Sequence, residues 1–164
     1  MKKLLIRSLL ISIITVTSVS SMVILKGDKS TIVTNEQLEL LDDYDVVITT
    51  EDGIEDQGGG FNPAGYYNEK NQEIVIDTAW MDWAFLHEYG HFIDSINYNI
   101  STSKAFKDIY NKEKDSFKNE NIEYSISSNI EYFASAYKVY LEEPSKLKEM
   151  CPETYNFIGG LTKK

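Results

Sequence analysis

The sequence predicts an α+β domain behind an apolar leader. Three observations carry that reading. Two short β-branched runs, Asp45–Thr50 and Glu73–Asp77, lie in the first half of the chain. From Ala79 onward the pattern is helical. Near the start lies a charge-free stretch that fits neither. At 164 residues there is room for one core plus such a leader, but not for two full cores. Apolar residues make up 42% and charged residues 26%, the balance of a chain that folds rather than stays disordered.

The leader is residues 1–26. Lys2, Lys3 and Arg7 form a basic head, and no charge follows from Ser8 to Leu25. Basic head, apolar run and small residues are the layout of a secretory signal peptide, with Ser18/Ser20 or Val19/Ser21 as cleavage sites. The alternative is an uncleaved anchor, since the run is about long enough to span a bilayer. Seven of its eighteen residues are Ser or Thr, which favours cleavage. The expectation is an exported protein, with residues 27–164 as its mature domain and no stable membrane association once the leader is cut.

Within that domain, Asn35–Leu41 reads as a short helix with Thr34 as its N-cap. Asp45–Thr50 is the first strand. Glu51 to Gly60 is a loop ending in three glycines, which Pro63 and Gly65 extend. Glu73–Asp77 is the second strand. Helices are expected at about 80–96, 102–118, 123–142, 145–150 and 153–160. Pro144 and Pro152 sit at helix starts, where a missing N–H costs nothing. Trp80 and Trp83 are assigned to the core.

Charge and cysteine content exclude some functions. With 26 acidic against 16 basic residues the net charge is −10, which leaves no electrostatic footprint for nucleic acid. The one cysteine, Cys151, excludes an internal disulfide framework and a Cys-rich zinc site.

The two histidines of the chain fall four residues apart, in His87-Glu-Tyr-Gly-His91. On a helix His91 lies about 40° round from His87, and Glu88 about 100°. Both imidazoles then point into one small volume, overlooked by the carboxylate. Two neutral imidazoles at this spacing are half of a tetrahedral zinc site, and Glu88 is placed to take a proton from a zinc-activated water. The flanking Trp83, Phe85, Leu86, Phe92 and Ile93 make this a buried helix, on which polar groups need partners. A catalytic zinc needs a third protein ligand, and no histidine remains. Position 94 is Asp and 97 is Asn, so the extended metzincin pattern fails. The third ligand is a carboxylate or, as the alternative, Cys151. Glu131, followed by the mostly apolar stretch Tyr132-Phe-Ala134, is the best carboxylate, although spacing alone fits a solvated helix residue equally well. Asp94 lies near −20° and either orients an imidazole or caps a neighbouring element.

These residues resemble the anthrax lethal factor-like zinc peptidases, and among them the small secreted Pro-Pro endopeptidases. The match rests on His87–Asp94, on Tyr124 seven residues before Glu131, on Glu131-Tyr-Phe-Ala-Ser-Ala136, and on Cys151–Ile158. It covers about residues 73–160, while 27–60 match loosely. The resemblance implies a zincin-like metallopeptidase fold: a small sheet, an active-site helix and a C-terminal helical part. It implies that Glu131 is the third ligand of a single Zn2+ and that Tyr124 stabilises the oxyanion. On one continuous helix Tyr124 and Glu131 would share a face.

An endopeptidase takes an extended peptide or protein as substrate, and a preference for Pro-Pro bonds is implied by the resemblance alone. The enzyme is expected to be a monomer. Glu73–Asp77, just before the metal helix, is expected to be the edge strand that pairs with substrate. Gly58–Asn68 is expected either to close over the cleft as a flap or to be an ordinary solvent loop. Two other readings stand beside this one: a toxin-type peptidase acting on a host protein, and a non-catalytic adhesion or inhibitor module stabilised by zinc.

Overall fold

The computed structural model describes residues 21–26, 29–54, 64–119 and 121–161. Residues 1–20 of the expected leader and 58–63 of the expected flap lie outside the described residues. The chain divides into two compact units, Met1–Val46 and Val47–Lys164.

In the first unit β1 (Ser21–Lys26) and β2 (Lys29–Thr34) form an antiparallel ribbon, with Ser21 opposite Thr34 and Lys26 opposite Lys29. Helix α1 (Asn35–Asp43) follows at once. Thr34 caps it as expected. Its Oγ1 accepts the N–H of Gln37 at 3.2 Å, and the Gln37 Oε1 accepts the N–H of Thr34 at 2.8 Å. The expected strand start at Asp45 moves to Val47, because Asp45 takes a φ of 56°, which extended backbone does not allow.

The second unit opens with β3 (Val47–Glu51), β4 (Gly65–Asn68) and β5 (Glu73–Asp77), in the order β3-β5-β4. β3 runs parallel to β5 with Val47 opposite Glu73, and β4 runs antiparallel to it with Gly65 opposite Ile76. The expectation that Glu73–Asp77 is an edge strand is therefore wrong: β5 is central. Its run Ile74-Val-Ile76 is at most 1% exposed, the pattern of a strand covered on both faces. The second half of the expected flap is β4. A tight turn joins it to β5, with Asn68 Oδ1 accepting the N–H of Asn71 and Gln72 at a φ of 52°.

Asp77 carries the chain from β5 into the next helix, its carboxylate accepting the N–H groups of Ile54 at 3.2 Å and Ala79 at 2.8 Å. Helix α2 (Met81–Ile96) is buried from Ala84 to Gly90 and again from Phe92 to Asp94. An apolar helix of this kind packs on two sides, here under the sheet and against α5 (Asn129–Glu142). Between them come a single 3-10 turn at Ile100–Thr102, α3 (Lys104–Glu113) and the short α4 (Ile122–Ser125). Helices α6 (Pro144–Met150) and α7 (Pro152–Gly159) close the chain, each beginning on its proline.

Two expected helices are shorter or broken. The one expected over 102–118 starts after Ser103, whose Oγ accepts the N–H of Phe106 at 3.1 Å, and ends at Glu113. The one expected over 123–142 is interrupted at 126–128. There Ser127 donates its hydroxyl to the Tyr124 carbonyl at 2.7 Å, and Ser128 caps a new helix by accepting the N–H of Glu131 at 3.1 Å. Short hydroxyl side chains compete for backbone groups in this way and end helices.

The helical part is held by aromatic packing. The buried Phe106 ring lies 5.2 Å from Phe133 and 5.1 Å from Phe157, and Phe117 lies 5.1 Å from Tyr132. Glu113, at the end of α3, is a buried carboxylate with three donors: the N–H groups of Glu153 and Thr154, both at 2.9 Å, and the Thr154 hydroxyl at 2.8 Å. It caps the start of α7. Helices α2 and α5 meet at Gly90. A β-carbon there would lie 2.8 Å from both Cα and O of Ala134, so the two backbones touch. Gly90→Ala should force the helices apart and lower stability by about 1–3 kcal/mol. A denaturant midpoint unchanged from wild type would contradict this contact.

Candidate metal centre

Three polar atoms converge where α2 crosses α5. His87 Nε2 lies 3.0 Å from Glu131 Oε2, His91 Nε2 lies 3.2 Å from His87 Nε2, and His91 Nε2 lies 3.4 Å from Glu131 Oε2. Among the described residues this His87, His91 and Glu131 group is one that could hold a metal ion. Atoms bonded at about 2.0 Å to one tetrahedral ion stand about 3.3 Å apart, so the triangle has the size of one face of such a site. Two imidazole nitrogens and a carboxylate oxygen suit a borderline divalent transition metal.

The electrostatics fit a cation. Burial works against ionising Glu131, but hydrogen bonds from His87 and His91 outweigh it and hold the carboxyl well below the usual range. Burial lowers His91, yet Glu131 and Glu88 prevail and raise it. An imidazole binds a cation only without its proton on that nitrogen, so metal uptake at ligands of this kind depends on pH.

Glu88 is 5% exposed, and burial raises its carboxyl above the ordinary value against the opposing pull of His87 and His91. The backbone N–H of Tyr67, in β4, donates to it. Gly65 lets that strand come so close: a β-carbon there would meet Val75 O at 2.8 Å and Glu88 Cγ at 3.2 Å. Tyr124 comes from α4, not from a shared helix with Glu131 as expected, because of the break at 126–128. The side chain still reaches the site. Its ring centroid is 5.7 Å from that of His87, and it hydrogen-bonds Glu131. Burial, then the charge of Glu131, push the phenol upward, so it stays protonated and a donor.

Asp94 caps rather than orients an imidazole. Its carboxylate accepts the Ser101 N–H at 2.7 Å and the Ser101 hydroxyl at 2.6 Å. The Ser101 carbonyl in turn accepts from Asn129 Nδ2 at 2.9 Å, which ties the end of α2 to the start of α5 two residues before Glu131. Cys151 stands apart from the site, buried with its thiol 3.7 Å from the Glu113 carbonyl oxygen. The two tryptophans are not core residues as expected. Trp80 is 58% exposed, and Trp83 stacks on the His87 ring at 5.6 Å with Lys138 on the indole. Sequence reasoning assigned Gly65 to a loop, whereas it opens β4, and passed over Gly90 and Ser135. A glycine in mid-helix costs about 0.5–1 kcal/mol against alanine, so Gly90 was itself a signal of close packing.

The comparisons with known proteins point one way. A family model described as "Anthrax toxin lethal factor, N- and C-terminal domain" matches residues 7–161. The chain is 43% identical over 82 residues to a Pro-Pro endopeptidase of Clostridioides difficile (strain 630), a match covering 48% of this chain and 36% of that protein. The chain thus spans little more than a third of that relative's length. It also superimposes on the solved Pro-Pro endopeptidase from Paenibacillus alvei with a TM-score of 0.61 and 23% identity, covering 79% of this chain and 85% of that one. That likeness shows a shared fold.

If the triangle holds a metal, a chelator should lower the melting temperature of the wild type, and added divalent ion should restore it. Glu131→Ala should bind less than one tenth of an equivalent by metal analysis. A full equivalent in that variant would remove Glu131 from the site.

Proposed function

Because the chain belongs to the anthrax toxin lethal factor family, we propose that it is an exported zinc metalloendopeptidase. His87, His91 and Glu131 hold one zinc ion, Glu88 is the general base and Tyr124 is the oxyanion donor. The observation that carries this reading is the triangle of ligand atoms, with edges of 3.0, 3.2 and 3.4 Å, beside a buried carboxylate and a phenol.

When bound, zinc supplies a Lewis acid that polarises the scissile carbonyl and makes water acidic near neutral pH. Glu88 takes the proton of the attacking water and passes it to the departing amine. Burial gives its carboxyl a raised proton affinity for that task, and the Tyr67 N–H fixes its orientation. Tyr124 remains protonated and donates a hydrogen bond to the carbonyl oxygen as negative charge grows there. No covalent intermediate is needed.

The substrate is an extended peptide or protein. Among the described residues β4 pairs with β5 on one side only, which leaves its other edge for a peptide strand. This replaces β5, which is internal, in the role of substrate strand. Pro-Pro bonds are the proposed cleavage site, since both relatives reported above are Pro-Pro endopeptidases. Residues 1–26 serve as the export signal in this proposal, and no helix among the described residues is long and apolar enough to cross a membrane.

Incubation with a proline-rich peptide library, read by mass spectrometry, should give cleavage between consecutive prolines. Glu88→Gln should keep its zinc and lose at least about 10²-fold in turnover. Tyr124→Phe should lower kcat about 10²- to 10³-fold with little change in KM. Wild-type turnover in Glu88→Gln would remove the proposed base.

A further inference from the structure

His87 uses both ring nitrogens. Its Nε2 faces Glu131 and His91, and its Nδ1 lies 3.2 Å from the hydroxyl oxygen of Ser135, one turn after Glu131 on α5. Ser135 is 2% exposed, and its own hydroxyl donates to Ser125 Oγ at 2.9 Å. Ser125 is fully buried at the end of α4, and its oxygen also receives the Asn119 amide N–H at 2.6 Å. A hydroxyl has one proton to give. With that proton committed to Ser125, Ser135 faces the imidazole with a lone pair and accepts the Nδ1 proton. A neutral imidazole protonated at Nδ1 carries its free electron pair at Nε2.

We propose that Ser135 and Ser125 form an uncharged relay that keeps the proton of His87 on Nδ1 when a cation takes the place of the Nε2 proton shared with Glu131, so that the Nε2 electron pair is turned onto the metal site. Both serines are positioning residues; neither touches the metal or substrate. The relay rests on the reading of His87 as a metal ligand. Reversing either hydroxyl would offer Nδ1 a proton and favour the opposite tautomer, whose Nε2 cannot bind a cation. The relay also couples three elements. Ser125 ends the helix that carries Tyr124, Ser135 lies on the helix of Glu131, and His87 lies on α2. Two uncharged groups thus do what a carboxylate commonly does behind a metal-bound histidine.

The test is zinc affinity, measured by competition with a chromophoric chelator, together with the melting temperature of each metal-free variant. Ser135→Ala should weaken zinc binding about 10- to 100-fold while the metal-free melting temperature stays near wild type. Ser125→Ala keeps the contact to His87 but frees the Ser135 proton, so it should weaken zinc several-fold. In the zinc-loaded wild type, proton and nitrogen NMR should show a slowly exchanging His87 Nδ1–H that is lost in Ser135→Ala. Should Ser135→Ala fail to fold, Ser125→Ala and the wild-type NMR signal decide. Affinities within twofold of wild type in the folded variants, or zinc-loaded His87 protonated at Nε2, would overturn the relay and leave the peptidase reading intact. Failure of the wild type to bind zinc would overturn both.

Discussion

The bare contact between Gly90 and Ala134 sets the geometry on which the site depends. A carboxylate on one helix meets two imidazoles on another at 3.0 and 3.4 Å only if the helices come closer than ordinary side chains allow. At Gly90 there is no β-carbon, and at Ala134 there is only one. The Asp94–Ser101–Asn129 chain of hydrogen bonds fixes the same pair of helices further along. Packing and polar bonding therefore converge on a single relation, the register of α5 on α2. A close-packed interior resists small displacements, so that register is a rigid property of the fold.

The same economy shows in the electrostatics. Three carboxylates are buried or half-buried around α2, and each has a different remedy for its lost hydration. Glu131 stays ionised through two imidazoles. Asp94 takes both donors of Ser101, although burial still raises it. At Glu88 the charges of His87 and His91, and to a smaller degree the Tyr67 N–H, oppose burial, which still raises its carboxyl. Carboxyl groups gathered around one helix thus differ in proton affinity because their neighbours differ.

The helix bearing His87 and His91 was legible because its signal is local: spacing on one helix, with apolar flanks on every side. The α1 cap at Thr34 and the proline starts of α6 and α7 were legible for the same reason. Glu131 was not settled by spacing; the family resemblance was needed to choose it. What failed was non-local. β5 reads as a strand, but nothing within five residues tells that β4 will cover its outer side. Seven residues between Tyr124 and Glu131 suggest one helical face, yet Ser127 and Ser128 divert the backbone, and Tyr124 reaches the same place from a separate helix. Trp83 looks like core filler until its stacking on His87 is seen. Ser135 is an ordinary small residue in sequence, and only the fold shows which atom it faces.

The carboxylate of Glu113 has a consequence for anyone trimming this chain. It is buried, and the donors that satisfy it come from the first residues of the last helix. A version shortened before Pro152 would remove all three donors of that carboxylate together with the buried Thr154 and Ile158, a loss larger than eight terminal residues suggests. The final helix is thus an integral wedge of the fold, and expression boundaries belong beyond it.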